Sequence, residues 1–193
     1  MCIRDRSSGE NIAALQGAAR CYESQGQLTR AADCWRQVVS CESTISNMTS
    51  LARVLTSAGC HWKALAAWDQ LLQDQPDLML ATRGRAQALH ATGRHQEALE
   101  TWDGVLAQSP EDDAARSGRA LSLIQLGRPE EALSMWEQVS EALLVESDRH
   151  GIERARALLD LHLQDAEQRR LVCLLYTSPS PRDLSTSRMP SSA

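Results

Sequence analysis

Apolar residues along this chain recur at intervals of three and four. Met48, Leu51, Ala52 and Leu55 form one such stripe, and Ala64, Leu65, Trp68, Leu71 and Leu72 form the next. Residues at that spacing share one face of a helix, whereas a half-buried strand would alternate every second residue. The chain between the stripes is short and carries glycine or proline. The pattern therefore predicts consecutive amphipathic helices, with Gly26, Gly59, Gly93 and Gly127 at left-handed helix ends. Pro129, just after Gly127, suits the first turn of the following helix.

The stripes also repeat. Trp35, Trp68, Trp102 and Trp136 are 33, 34 and 34 residues apart, and the four glycines keep those intervals, each nine residues ahead of its tryptophan. Ala31, Ala64, Ala98 and Ala132 each stand four residues before the aromatic, and Pro76 and Pro110 are 34 apart. A fixed period of this length indicates stacked supersecondary units, each unable to bury its apolar face alone. The alanine lets two helices approach closely. A tryptophan burying roughly 150 to 250 Å² at about 25 cal/mol per Å² contributes roughly 4 to 6 kcal/mol before entropy costs, which assigns all four to the core.

Residues 79–112, MLATRGRAQALHATGRHQEALETWDGVLAQSPED, carry Ala86, Gly93, Ala98, Trp102 and Pro110. This stretch resembles the tetratricopeptide repeat, a 34-residue pair of antiparallel helices. Residues 113–146 repeat it without the closing proline, and the units at about 12–44 and 45–78 are looser, the first again without proline. The resemblance covers about four fifths of the chain and implies an all-α fold, a right-handed solenoid of antiparallel helix pairs. Residues 147–172 keep an apolar stripe through Ile152, Ala155, Leu159, Leu163 and Ala166 but lack the glycine turn and tryptophan. A capping helix with one polar face and the first helix of a diverged fifth unit both fit that stretch.

Such solenoids bind partner segments on a concave wall made of the first helices. Spacing places Gln16, Arg20 and Glu23, then Thr49, Arg53 and Thr56, then Arg83, Gln87 and His90, then Ser117, Leu121 and Ile124 toward that groove. Leu121 and Ile124 also suit packing beneath the terminal helix. Arginines among the first three sets point to a protein or peptide partner with an acidic part, since guanidinium groups hold carboxylates bidentately. Pairing of Arg20, Arg53 and Arg83 with neighbouring glutamates on a solvated face is the competing expectation. Some family members grip a chaperone's terminal carboxylate with lysine and asparagine on successive first helices; Gln16, Arg20, Thr49 and Arg53 stand in those places here, so that role does not carry over. Arg85 and Arg119, with Glu97 and Glu131 at the same interval, suggest a repeated ion-pair ladder.

Both ends read differently. MCIRDR, residues 1–6, resembles the translation of a transposase end used in short-read library preparation; CLLYTSPSPRD, from Cys173, resembles its reverse complement, and SRMPSSA the outer adapter. Residues 1–6 and 173–193 are therefore expected to be foreign to the protein, the latter disordered, and the natural chain to extend past both junctions as a fragment of metagenomic kind. The phrase LGRPEEAL has a bacterial style. A truncated array would also expose apolar surface through which copies could associate.

Composition adds mainly exclusions. The chain carries 20 basic and 25 acidic residues; without the two terminal segments the counts are 16 and 23, a formal charge of −7. That balance provides no footprint for a phosphate backbone, so nucleic acid is not an expected partner. No apolar run approaches the roughly 18 residues of a membrane span. Cys21, Cys34, Cys41 and Cys60 contain no CxxC pair, and Cys21 and Cys34 are expected as buried small hydrophobes. No phosphate loop, HExxH or nucleophile elbow occurs. His90 and His95, five apart across a turn, are not expected to share a face, and Cys60 and His61 are expected to be exposed. No catalytic residue, metal ligand or cofactor follows. The leading expectation is a non-enzymatic binding scaffold, in the cytoplasm by default; the alternative is the substrate-positioning arm of a larger enzyme such as a glycosyl- or sulfotransferase.

Overall fold

Four glycines with φ between 71 and 81° set the architecture. At each, the chain leaves one helix and enters the next in a single left-handed step that costs little without a Cβ. Gly26 N–H donates to Glu23 O at 3.0 Å and Gln27 N–H to Tyr22 O at 2.9 Å, and the same two bonds recur at Gly59, Gly93 and Gly127. The carbonyls orphaned at the helix end are thereby satisfied.

The computed structural model describes residues 3–139 and 144–177. Among them the elements are α1 (Ile3–Ser24), α2 (Leu28–Cys41), α3 (Ile45–Ser57), α4 (His61–Asp74), α5 (Met79–Ala91), α6 (His95–Gln108), α7 (Asp113–Gln125), α8 (Pro129–Trp136) and α9 (Glu146–Thr177). Each glycine turn joins an odd helix to the even helix that follows. Longer connections join successive pairs, where Thr44 and Asp112 cap α3 and α7 by accepting from Asn47 N–H at 3.3 Å and Ala115 N–H at 3.2 Å.

The core runs as a strip between the two helix layers. Ala31, Trp35, Ala64, Trp68, Ala98, Trp102, Ala132 and Trp136 are all buried, as the repeat pattern requires. Every described tryptophan junction after the first is notched by a glycine. Gly84, Gly118 and Gly151 are each the sixth residue of their helix, α5, α7 and α9. A Cβ on Gly118 would lie 2.5 Å from Trp102 Cε2, one on Gly151 2.6 Å from Trp136 Cη2, and one on Gly84 would likewise collide with Trp68. At α3 the sixth residue is Ser50. These glycines were not singled out by periodicity, although each stands 15 or 16 residues after its tryptophan.

Successive odd helices touch one another, α3 with α5, α5 with α7 and α7 with α9, whereas no even helix meets another to that extent. The odd helices thus form the tighter, inner wall of the curve.

Several expectations need correction. Cys21 is exposed and Cys34 only half-buried, because the stripe on α1 runs through Ile12, Leu15, Ala19 and Tyr22 and leaves position 21 outside it. Cys60 and His61 are half-buried rather than exposed. The stripe on α9 is covered only as far as Leu159: Leu161 and Leu163 are 55% and 68% exposed, and Ala166 is exposed. The 32 residues of α9 rise roughly 48 Å against roughly 12 Å for the eight of α8, so its second half outruns its support. Helical backbone also crosses both expected junctions, from Ile3 and through Thr177. Extending a helix adds one hydrogen bond per residue fixed, and neither IRDR nor CLLYT contains a breaker. The expected disorder of 178–193 lies outside the described residues.

Candidate functional site

The inner wall divides into a polar first half and a cavity in the second. In the first half, the twelfth residue before each tryptophan faces inward enough to meet its indole. Glu23 accepts from Trp35 Nε1 at 2.6 Å, and Thr56 accepts from Trp68 Nε1 at 3.3 Å while donating to Ala52 O. These two candidate groove residues therefore satisfy the core. Glu23 also pairs with Arg53 at 2.8 Å through its second oxygen. Gln16 Nε2 donates to Asn47 Oδ1 at 2.9 Å, and Asn47, buried, donates onward to Glu42 O at 3.0 Å. Thr49 is half-buried, and Arg20 is exposed with no ion pair among the described residues. Arg83 pairs with Asp112 at 2.6 Å. Of the two expectations for the arginines, pairing with a glutamate accounts for Arg53, whereas Arg83 pairs with an aspartate whose side chain is almost buried.

The ion-pair ladder exists with other partners. Arg85 donates to Asp69 at 2.7 Å and Arg119 to Asp103 at 2.6 Å, each bridging an even helix to the next odd one. Glu97 and Glu131 belong instead to Arg94 and Arg128, three residues away on the same turn. The hydrogen bond from Arg94 holds the Glu97 carboxyl below its ordinary value. Helix geometry favours these local partners, since residues three apart are neighbours.

In the second half, Gln87, His90 and Ser117 come together around a cavity of about 430 Å³. Trp102, Ala114, Gly118, Leu121 and Val145 supply apolar wall, and Asp113, Ser147 and Asp148 complete the lining. Leu121 and Ile124 pack under α9, as the spacing suggested. Among the described residues no lysine or arginine lines the space.

The protonation of His90 follows from its neighbours. Ser122, fully buried, holds its hydroxyl oxygen 3.0 Å from Gly118 O and 3.1 Å from His90 Nδ1, which fixes the orientation of the ring. Burial, and then the positive field of His95, push the imidazole below its ordinary pKa. The His95 ring lies 5.0 Å away, edge-on; the two share no helix face but meet from different helices, because the turn at Gly93 folds α6 back over the end of α5. Among the described residues no group of three or more His, Cys, Asp or Glu is placed to hold a metal ion. No described helix is long and apolar enough to cross a membrane.

Trp102 differs from the other core tryptophans. Its Nε1–H is buried without a partner among the described residues, because His90, twelve residues before, is turned to Ser122. Trp136 faces Ile124 at the corresponding place and donates instead to Asp148 Oδ1 at 3.1 Å. Asp148 is buried, and its other oxygen accepts from Val145 N–H at 3.1 Å. Sequence periodicity did not reveal Asn47 or Asp148, each the third residue of its helix, where α5 and α7 carry Ala81 and Ala115.

Paired helices with a glycine left-handed turn, a buried alanine and tryptophan per unit, and an inner wall of first helices define a helical-repeat solenoid. Sequence models of the tetratricopeptide repeat match residues 13–40, 51–113 and 89–150. The chain belongs to the tetratricopeptide repeat family. Among solved structures it is similar to a tetratricopeptide repeat protein from Parabacteroides merdae, at 18% identity and a TM-score of 0.63, covering 78% of this chain and 61% of that one. The chain thus spans about three fifths of that relative's length. It is also similar to MamA, residues 41 to the end, from Desulfovibrio magneticus, at 14% identity and a TM-score of 0.68, covering 88% of this chain and 98% of that one. None of the curated proteins searched matches it.

Proposed function

We propose that this chain is a non-enzymatic scaffold that holds a segment of a protein partner along the wall of odd helices. The observation that carries this is the second half of that wall, where Gln87, His90 and Ser117 from two successive first helices surround a partly apolar cavity. Extended concave surfaces of stacked helix pairs serve this purpose generally. The acidic segment expected of the partner has less to meet than the arginine count implied, because Arg53 and Arg83 are already neutralised, which leaves Arg20 and the first half of the wall.

Peptides selected from a random display library and mapped by NMR test this reading. Binders should move the amide signals of Thr49, Gln87 and Ser117 and leave those of Gln70 and Glu100, exposed on even helices, in place. Perturbations confined to the even helices would refute it.

The organisation we propose is four helix pairs followed by α9 as the first helix of a fifth unit. Its support is Gly151, which notches around Trp136 as Gly118 does around Trp102. The segments 1–6 and 173–193 are foreign under this reading. Removing them should leave cooperative unfolding unchanged, and sequencing outward in the source DNA should show a different frame context at both junctions.

A further inference from the structure

We propose that the cavity between α5, α7 and α9 is a subsite for a lysine or arginine side chain of the bound segment. This rests on the groove reading above and specifies what one part of the groove accepts.

Three features carry it. First, the walls at Ala114, Gly118 and Leu121 are apolar and long enough to cover an aliphatic stem, which basic side chains bury while their heads remain polar. Second, the polar groups that remain are acceptors of the right sign. Asp148 lines the cavity as a buried carboxylate whose oxygens receive Trp136 Nε1–H and Val145 N–H, with no cationic side chain among the described residues reaching it. A buried carboxylate is ordinarily paired with a cation. His90 lines the same cavity, its Nδ1 held 3.1 Å from Ser122 Oγ. Third, no lysine or arginine among the described residues lines the cavity. Asp113 on the rim is paired with Arg116 at 2.8 Å, but that guanidinium does not line the cavity. An acidic side chain placed here would face the Asp148 carboxylate with no lysine or arginine among the described residues lining the space, so the subsite selects against the charge that the arginines of the first three sets were expected to favour.

Four capped peptides of identical flanks, with lysine, arginine, leucine or glutamate at the centre, test the assignment against the full chain. The readout is the indole N–H signals of Trp102 and Trp136, assigned through Trp102→Phe. Lysine and arginine peptides should shift both signals saturably, and glutamate should bind at least about tenfold more weakly, since like charges brought together cost more than the 1.4 kcal/mol of one decade. Added salt should narrow the difference. Ser117→Lys, which sets an ammonium at the mouth on a half-buried helical position, should abolish the lysine response with helicity retained. Leucine binding as tightly as lysine, glutamate binding more tightly, or an unchanged response in Ser117→Lys would each overturn the subsite. Peptides that move Thr49 and Gln16 signals but neither indole would overturn it while leaving the groove reading standing; silence at every odd helix would count against both.

Discussion

The α4/α5 and α6/α7 junctions are built from the same parts and differ at one atom's worth of chemistry. In each, a tryptophan from the even helix sits in the notch of a glycine, Trp68 over Gly84 and Trp102 over Gly118. Each ring is almost fully buried. At the first, Thr56 receives the indole proton; at the second, His90 is turned away to Ser122 and the indole has no partner. Shape is therefore repeated faithfully while polar satisfaction is not. The exception falls where the cavity opens, and departures from local consistency are expected at functional sites.

Removing the whole ring should erase the difference. Trp68→Ala and Trp102→Ala are each expected to lower stability by about 3 to 5 kcal/mol in urea unfolding, because both empty a notch that cannot collapse around glycine. Gly84→Ala and Gly118→Ala should both cost about 1 to 3 kcal/mol, since the added methyl meets a rigid ring. A neutral result at either would mean that the notch relaxes. Trp→Phe isolates the indole N–H. Trp68→Phe gives up a made hydrogen bond, whereas Trp102→Phe removes a buried unpaired donor, so the second should be less destabilising by about 1 to 2 kcal/mol. Equal losses would indicate that Trp102 is satisfied in solution.

Acid should affect only the second junction through His90. Its folded pKa lies below the value near 6.5 of the unfolded chain, so the fold prefers the neutral ring. Above 6.5 the group imposes no penalty. As pH falls through 6.5 the unfolded chain takes the proton first and stability declines until the folded value is passed. The decline should be smaller in His90→Gln, measured as the difference between the two unfolding profiles. The smallest effect is expected at the surface: Arg53→Ala breaks an exposed pair with Glu23 and should cost no more than about 1 kcal/mol.

Much of this was legible in the residues. Helix type, the 34-residue pairing, the left-handed glycines and the tryptophan core followed from spacing, because a helix face and a helix end are local matters that few residues specify. That Gln87, His90 and Ser117 lie off the buried stripes of their helices was legible for the same reason. Partner choice among polar groups was not. Arg85 and Glu97 recur together in sequence, yet Asp69 and Arg94 lie nearer in space and take them. Cys21 fell off the apolar stripe by one position, which rotates a side chain by about 100° around the helix.

The sequence by itself determined that this chain folds as repeated helix pairs, since periodicity, breakers and composition agree at every unit. Only the tertiary structure decided that Glu23 and Thr56 serve the core, that His95 reaches His90, and that Asp148 enters the wall behind Trp136. Each of those depends on how one helix packs against the next, a relation between residues 5 to 12 positions apart that the fold closes and local spacing does not encode.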